Sequence, residues 1–151
     1  MLVPVVVIAL VPAFIIGIGR LVPPAPLTSL QYLGAGAFVI GVGVYLYCAT
    51  DFLFVGRGTP APYAPPRELV IRGLYRYVRN PMYVGGLIAL LGEALVYHTV
   101  RIVAYELVVF AMWHWFVVTY EEPALTRLFG ETYVQYCAMV ARWVPRVIAA
   151  A

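Results

Sequence analysis

The chain has 151 residues, enough for one domain, and 64% of them are hydrophobic whereas only 11% are charged. So much apolar surface does not fit inside a single aqueous core, so the composition excludes an ordinary soluble domain and predicts an integral membrane protein. The net charge of +3 comes from arginines beside apolar segments. Such a charge suits the anionic face of a cytoplasmic membrane and does not indicate nucleic-acid binding.

Four apolar segments predict four transmembrane helices in chain order. The first, about residues 5–22, contains Pro12 and continues into a proline-rich turn, and we interpret it as a retained helix rather than a signal peptide. The second, about 31–55, contains four glycines that permit close helix packing. The third and fourth, about 82–97 and 102–120, are separated by so few residues that they form a tight hairpin.

Two polar segments adjoin the last two predicted helices. Residues 56–81 carry five of the ten arginines and five of the twelve prolines, which predicts a basic, non-helical loop. At its end, Asn80 is a favoured N-cap and Pro81 suits a first helical turn, so a helix is expected to start there. Residues 121–151 have apolar side chains at helical intervals, broken or bent near Gly130. They predict an amphipathic segment against the membrane surface or the helical bundle.

The arginines also predict the orientation of the chain. The loop 56–81 and the C-terminal segment carry eight arginines, whereas Arg20 and Arg101 lie on the opposite side. The positive-inside rule then makes both termini and the loop cytoplasmic. The predicted fold is an all-α integral membrane protein, a single membrane domain of residues 1–151. It has about four transmembrane helices, a cytoplasmic cofactor-binding loop and a C-terminal amphipathic helix, in the cytoplasmic (inner) membrane of a prokaryote.

Two glutamates are expected inside the bilayer. Glu93 and Glu106 are equally distant from the hairpin turn, so they share a level on the third and fourth helices. Charges in a bilayer are costly and are usually paired or functional. One interpretation is a structural Glu93–Arg101 pair with Glu106 protonated or facing a neighbour, and the alternative is a functional polar site.

Short motifs recur in a fixed order over the C-terminal two-thirds of the chain. They are Gly-x-Gly-Thr-Pro (Gly56 to Pro60), Arg-Gly-x-Tyr-Arg-Tyr-Val-Arg-Asn-Pro-Met-Tyr-x-Gly (Arg72 to Gly85), Glu121-Glu122, Leu125, Phe129-Gly130, Tyr133, Tyr136 and Arg142-Trp143-x-Pro145. In this order and spacing they resemble the isoprenylcysteine carboxyl methyltransferase family, which belongs with the membrane phospholipid N-methyltransferases. One departure is that Asn80 stands where many members have His.

The resemblance implies an S-adenosylmethionine-dependent methyltransferase that acts on a membrane-partitioned small molecule or lipid. Its partners would be the lipid bilayer and a lipophilic methyl acceptor. The catalytic residues implied are Arg79, Tyr83 and Glu122, with Arg79 near an acceptor carboxylate or, for a lipid amine, near a phosphate. The cofactor-binding residues implied are Gly58, Thr59, Arg76, Asn80, Pro81, Tyr83, Glu121 and Glu122.

Charge and helical spacing favour the same cofactor. Arginine and helix N–H groups can hold the carboxylate of S-adenosylmethionine, and a glutamate can hold its ammonium group. Glu121 and Glu122 are expected to end the last transmembrane helix opposite the basic loop, although a solvated helix end is the alternative. His114 falls on the same helical stripe as Glu121, which makes it a cofactor-binding candidate or a packing histidine. The cysteines and histidines have no metal-ligand spacing, so no metal site is predicted.

Two other functions fit parts of the pattern. Membrane sterol and steroid reductases, which use NADPH, show a similar Arg-x-x-(His/Asn)-Pro-x-Tyr and acidic C-terminal pattern, although this chain is shorter than expected for them. The second is a non-enzymatic small membrane module, in which the arginines only set the topology. Binding of S-adenosylhomocysteine, of NADPH or of neither would distinguish the three.

Overall fold

A computed structural model describes residues 5–17, 23, 26–54 and 68–145. Within these ranges the chain is helical and contains no strand, as the composition predicts. The helices are α1 (Val6–Ile16), α2 (Ser29–Phe54), α3 (Pro81–Tyr97), α4 (Val100–Phe129) and α5 (Glu131–Met139), with a 3₁₀ turn at Gly73–Arg76. The chain divides into two compact units, the first made of residues 1–44 and 85–113 and the second of residues 45–84 and 114–151.

Two of the helices, α2 and α4, are long and apolar enough to cross a bilayer. The helix α3 has 17 residues and α1 is shorter still, whereas about 20 residues are needed for a span. The count of four spans therefore stays a prediction. The predicted first span continues to residue 22, but residues 18–22 lie outside the described residues.

The helix α4 does not end at residue 120, where the fourth predicted span ends, and the end of that span in a membrane stays a prediction. The helix α4 continues through a π turn, Val117–Glu121, into an α-helical end, Glu122–Phe129. Pro123 lies in the first turn after the π turn. A proline inside an α-helix removes one hydrogen bond and clashes with an upstream carbonyl, and the wider π turn accommodates both effects. The same arrangement occurs in α1, where the π turn Val6–Leu10 precedes Pro12.

In the first unit, glycines let α2 and α3 approach closely. A Cβ atom added at Gly41 would overlap the backbone of Ala89, and one added at Gly92 would lie 2.5 Å from the backbone nitrogen of Phe38. Among the described residues, Gly36 and Gly43 show no such packing, because a Cβ atom added at either would have none of their heavy atoms within 4 Å. Gly41 and Gly92 thus permit the close helix packing predicted for small residues.

The interpretation that Glu93 forms an ion pair with Arg101 is wrong. Arg101 is exposed, and neither residue takes part in an ion pair with the described residues. Glu93 and Glu106 are each half-buried, and Oε2 of Glu93 is buried without a hydrogen-bond partner in the described part of the chain. The described residues therefore give no support to a Glu93–Arg101 pair, and a functional role for Glu93 and Glu106 stays the alternative interpretation.

The second unit has its own apolar cluster. Tyr133, Tyr136 and Val140 are buried there, and partly buried hydrophobic residues pack against them (Leu69, Leu125, Phe129 and Cys137). The break predicted near Gly130 is confirmed, because this residue has a φ of +54° between α4 and α5. The amphipathic segment thus lies against helical neighbours, which was one of the two expected arrangements. Residues 56–67 of the basic loop and 146–151 lie outside the described residues.

Candidate functional site

The second unit contains a cavity of about 70 Å³. One ordered water needs roughly 10–15 Å³, so the cavity has room for several waters or for one polar headgroup. Its walls come from the segment before α3, the first turn of α3, the second half of α4, and α5. The lining residues are Leu69, Val70, Tyr75, Arg79, Asn80, Met82, Tyr83, Val117, Glu121, Glu122, Leu125, Tyr133 and Tyr136.

The start of α3 forms one wall of this cavity. The helix begins at Pro81 as predicted, and the carbonyl of Asn80 accepts a hydrogen bond from the Val84 amide at 3.1 Å. The Asn80 side chain is buried, and its Nδ2 donates to the backbone carbonyl of Arg142 at 3.1 Å. Next to it, the amide of Arg79 donates to the carbonyl of Ala141 at 2.8 Å. Asn80 therefore ties the start of α3 to the segment that follows α5.

Glu122 lies between two arginines. Arg142 binds it with two hydrogen bonds, Nε to Oε1 at 2.7 Å and Nη2 to Oε2 at 2.8 Å. Arg79 places Nη1 at 2.9 Å from Oε1 of the same carboxylate and donates to Sγ of Cys137 at 2.8 Å. The hydrogen bonds to Glu122, more than any other contact, hold the pKa of Arg142 above its usual value. Glu122 is therefore engaged by cations on both of its oxygens.

Glu121 has a different environment from its neighbour. Its Oε2 accepts a hydrogen bond from the hydroxyl of Tyr83 at 3.0 Å. A phenol is a neutral donor, so this contact leaves the negative charge of Glu121 uncompensated by a cation among the described residues. The sequence could not distinguish the two adjacent carboxylates. In the structure, Glu122 is paired with arginines and Glu121 is not, so Glu121 is the carboxylate that can bind a positive group in the cavity.

Buried tyrosines complete the cavity wall. The hydroxyl of Tyr136 donates to the backbone carbonyl of Tyr75 at 2.7 Å, which links α5 to the 3₁₀ turn. Burial raises the pKa of both phenols well above their ordinary value. They therefore stay protonated at any physiological pH and add aromatic surface, but no negative charge, to the cavity.

The structure brings together five of the predicted site residues around the cavity (Arg79, Asn80, Tyr83, Glu121 and Glu122). Pro81 is buried at the start of α3 without lining the cavity. Arg76 is exposed on the 3₁₀ turn, and Nδ1 of His114 accepts a hydrogen bond from Nε1 of Trp143 at 3.0 Å, so neither lines the cavity. Gly58 and Thr59 lie outside the described residues. No contact of a ligand tests the roles predicted for any of these residues.

Sequence reasoning gave no site role to eight of the thirteen residues that line the cavity, nor to Arg142. Among them, Tyr75 and Tyr136 were noted only as members of motifs and, for Tyr136, of an apolar helix face. Arg142 was noted as part of a motif but was given no role, and its contact with Glu122 joins residues 20 positions apart. A basic residue in a motif, beyond a glycine break, was the only signal available for it.

Comparison with known proteins identifies relatives of the chain. A family model described as phospholipid methyltransferase matches residues 30–132. The chain is 38% identical over 88 residues to protein-S-isoprenylcysteine O-methyltransferase A of Arabidopsis thaliana, in an alignment that covers 56% of this chain and 43% of that protein. It is 38% identical over 82 residues to protein-S-isoprenylcysteine O-methyltransferase of Schizosaccharomyces pombe, which covers 52% of this chain and 34% of that protein.

The matched part of the chain therefore spans less than half the length of either curated relative. No solved structure gives a significant match. The match to the family model includes the cavity residues of α3 and α4, whereas Tyr133, Tyr136 and Arg142 lie beyond its last residue.

Proposed function

The chain belongs to the phospholipid methyltransferase family, and we propose that it is an S-adenosylmethionine-dependent methyltransferase that acts on a membrane-partitioned small molecule or lipid. The observation that carries the proposal is that Arg79 and Glu121, which have opposite charges and different partners, line one cavity within the matched residues. A zwitterionic ligand needs such a pair of charges on opposite walls of its site.

The residues of the cavity fit the amino-acid end of the cofactor. Arg79 would hold the carboxylate and Glu121 the ammonium group, because Glu122 is already engaged by two arginines. A cavity of about 70 Å³ is small beside the roughly 300–1,000 Å³ of pockets for drug-sized ligands. We therefore assign only the amino-acid end to it.

The chain's own contribution to methyl transfer is binding, alignment and exclusion of water. When bound, S-adenosylmethionine supplies a methyl group that its sulfonium already activates. No residue then has to form a covalent intermediate, and the protein lowers the barrier by holding donor and acceptor in line in a dry site. The buried, neutral tyrosines around the cavity suit this role because they exclude water and, as π-systems, tolerate a nearby cation.

The same proposal places the protein in a membrane with the cavity on the cytoplasmic side. The helix α4 has 30 residues and would be about 45 Å long, enough to separate Thr99 from Glu131 across a bilayer. Single cysteines at these positions, in a protein whose Cys48 and Cys137 are replaced by alanine, should react with a membrane-impermeant thiol reagent from opposite sides. Labelling of both positions from one side would contradict this placement.

The acceptor can be sought in two chemical classes. Both curated relatives are named for O-methylation of an S-isoprenylcysteine, and the family model is named for phospholipids. Purified protein should be incubated with methyl-labelled S-adenosylmethionine and either an S-prenylated cysteine or an aminophospholipid. Label in a base-labile ester would indicate a carboxylate acceptor, and base-stable label in the lipid would indicate an amine.

The matched variants for this assay are Glu121→Gln, at the cavity, and Glu131→Gln, which is exposed at the start of α5. The first should lower transfer by tenfold or more, because a hydrogen bond to a charged group contributes roughly 1.5–3 kcal/mol. The second should leave transfer unchanged. Equal activity of the two variants would show that the cofactor's ammonium group is not held at Glu121.

A further inference from the structure

Arg142 has no role in the function proposed above, yet it donates two hydrogen bonds to Glu122, a residue of the candidate site. It binds Glu122 through Nε and Nη2, each to a different carboxylate oxygen. It is not among the residues that line the cavity, so its connection to that space is through Glu122, which does line it. Its backbone carbonyl is held by Asn80, and the neighbouring Val78 and Ala141 form a parallel bridge. Arg142 is thus fixed from both its main chain and its side chain.

The cluster of Arg79, Glu122 and Arg142 contains more positive than negative charge. Two guanidinium groups surround one carboxylate, which leaves a net charge of +1 on the three side chains. The two hydrogen bonds of Arg142 satisfy both oxygens of Glu122, whereas Arg79 approaches through a single ion-pair contact. A fork-to-fork arginine–carboxylate pair is the stronger and more specific of the two arrangements. Glu122 is therefore neutralised mainly by Arg142.

The consequence concerns Arg79, which does line the cavity. Its side chain is 12% exposed, and its Nε has no hydrogen-bond partner in the described part of the chain. If Glu122 had no other partner, it would compensate the charge of Arg79 directly, and an anion in the cavity would gain little from that arginine. With Arg142 in place, the surplus positive charge of the three side chains remains on the cavity side.

We propose that Arg142 is a positioning residue that neutralises Glu122, so that the charge of Arg79 stays available to the carboxylate of the bound cofactor. The proposal rests on the proposed function, because it takes S-adenosylmethionine as the ligand. It assigns Glu122 to the arginines and leaves Glu121 alone for the ammonium group. It also gives a role to a residue beyond the part of the chain that the family model matches.

The test is a double-variant experiment with two probes. The affinity of detergent-purified, full-length protein is measured for S-adenosylhomocysteine and for 5′-methylthioadenosine, which has the nucleoside thioether but no amino-acid end. The proteins are the wild type, Arg142→Ala, Glu122→Gln, and the double variant Glu122→Gln with Arg142→Ala. The exposed Arg127, also near the C-terminal end of the chain, provides the matched control Arg127→Ala.

The expected pattern is a rescue. Arg142→Ala should weaken S-adenosylhomocysteine binding by about tenfold or more, because Glu122 then compensates Arg79. The double variant should bind within about threefold of the wild type, since the uncompensated carboxylate is gone. Glu122→Gln alone should bind at least as well as the wild type. The affinity for 5′-methylthioadenosine should be the same in all of these proteins and in Arg127→Ala.

Other results would overturn the proposal. A double variant that binds S-adenosylhomocysteine more weakly than either single variant would mean that Glu122 itself holds the ammonium group. Equal weakening for both probes in Arg142→Ala, without rescue, would mean that Arg142 only supports the fold. If Arg142→Ala fails to fold, Glu122→Gln still decides, because weaker binding of S-adenosylhomocysteine alone contradicts the proposal. A wild type that binds neither probe would instead refute the proposed function, and this inference with it.

Discussion

The contacts inside the first unit differ in their chemistry from the contacts inside the second unit. In the first unit, α2 and α3 pack through glycines whose backbones leave no space for a side chain. In the second unit, ion pairs and tyrosine hydroxyls connect segments that are distant in sequence. In the membrane placement that we propose, the first arrangement is expected, because lipid gives helices little hydrophobic reason to associate and close packing takes its place.

The comparison indicates where function should be sought. Burying charges is costly even when they are paired, so buried ion pairs are weak evidence for stability. The partly buried Arg79–Glu122–Arg142 cluster is therefore better explained by binding than by folding. Substitutions in the first unit should change stability and leave binding intact, whereas substitutions at the cluster should change binding first.

The largest loss of stability is expected at a glycine of the first unit. Gly41→Ala places a methyl group against the backbone of Ala89, and forced overpacking of this kind costs about 1–3 kcal/mol. Gly43→Ala is the matched control on the same helix, since no heavy atom of the described residues lies within 4 Å of its Cβ position. Thermal unfolding in detergent should show a large loss for the first variant and none for the second. Equal unfolding temperatures would show that α2 and α3 are not packed as described.

The next effect is expected at Arg79 in the second unit. Arg79→Ala should weaken S-adenosylhomocysteine binding about ten- to hundredfold, since one charged hydrogen bond contributes roughly 1.5–3 kcal/mol. Arg76→Ala, which removes an exposed arginine three residues earlier, should change the affinity less than about twofold. Titration calorimetry compares the two variants. A greater loss from Arg76→Ala would move the anion site away from the cavity.

A smaller effect is expected at a tyrosine of the second unit. Tyr136→Phe removes the hydroxyl that donates to the carbonyl of Tyr75, and the loss of this hydrogen bond should cost about 1–1.5 kcal/mol. Tyr77→Phe is the control, because Tyr77 is 53% exposed. Chemical unfolding should therefore distinguish the two variants. Equal stability would mean that the bond between α5 and the 3₁₀ turn contributes little.

The smallest effect is expected at Asn80. If Asn80 acted only as a helix cap, Asn80→Asp should leave stability nearly unchanged, because both side chains accept hydrogen bonds from helix N–H groups. In the structure, however, Nδ2 of Asn80 donates to the carbonyl of Arg142, and a carboxylate has no such donor. We therefore expect Asn80→Asp to lose about 1 kcal/mol, as Asn80→Ala does. An Asp variant as stable as the wild type would support capping alone.

Local chemistry could be predicted from the sequence, and contacts between distant segments could not. The start of α3 at Pro81 followed from Asn80 and the proline, and the break at Gly130 followed from one residue. The continuation of α4 past Glu121 could not be predicted, because Pro123 fits into the helix only after a π turn, and no residue type specifies a π turn.

The candidate site shows the same limit. The motifs implied the cavity residues Arg79, Tyr83 and Glu121, which lie close to helix ends that the sequence indicated. The pairing of Glu122 with Arg142 depends on how α5 turns back after Gly130, and that angle is set by the packing of Tyr133 and Tyr136. The absence of a Glu93–Arg101 ion pair among the described residues could not be predicted either, because pairing depends on where each side chain points and sequence distance does not fix that.

The central claim is that the cavity of the second unit binds the amino-acid end of S-adenosylmethionine, and calorimetry tests it most directly. Detergent-purified wild-type protein and Glu121→Gln are titrated with S-adenosylhomocysteine and, separately, with NADPH. We predict that the wild type binds S-adenosylhomocysteine at one site per chain, that Glu121→Gln binds it about tenfold or more weakly, and that neither protein binds NADPH. Binding of NADPH by the wild type, or equal affinity of both proteins for S-adenosylhomocysteine, would contradict the account.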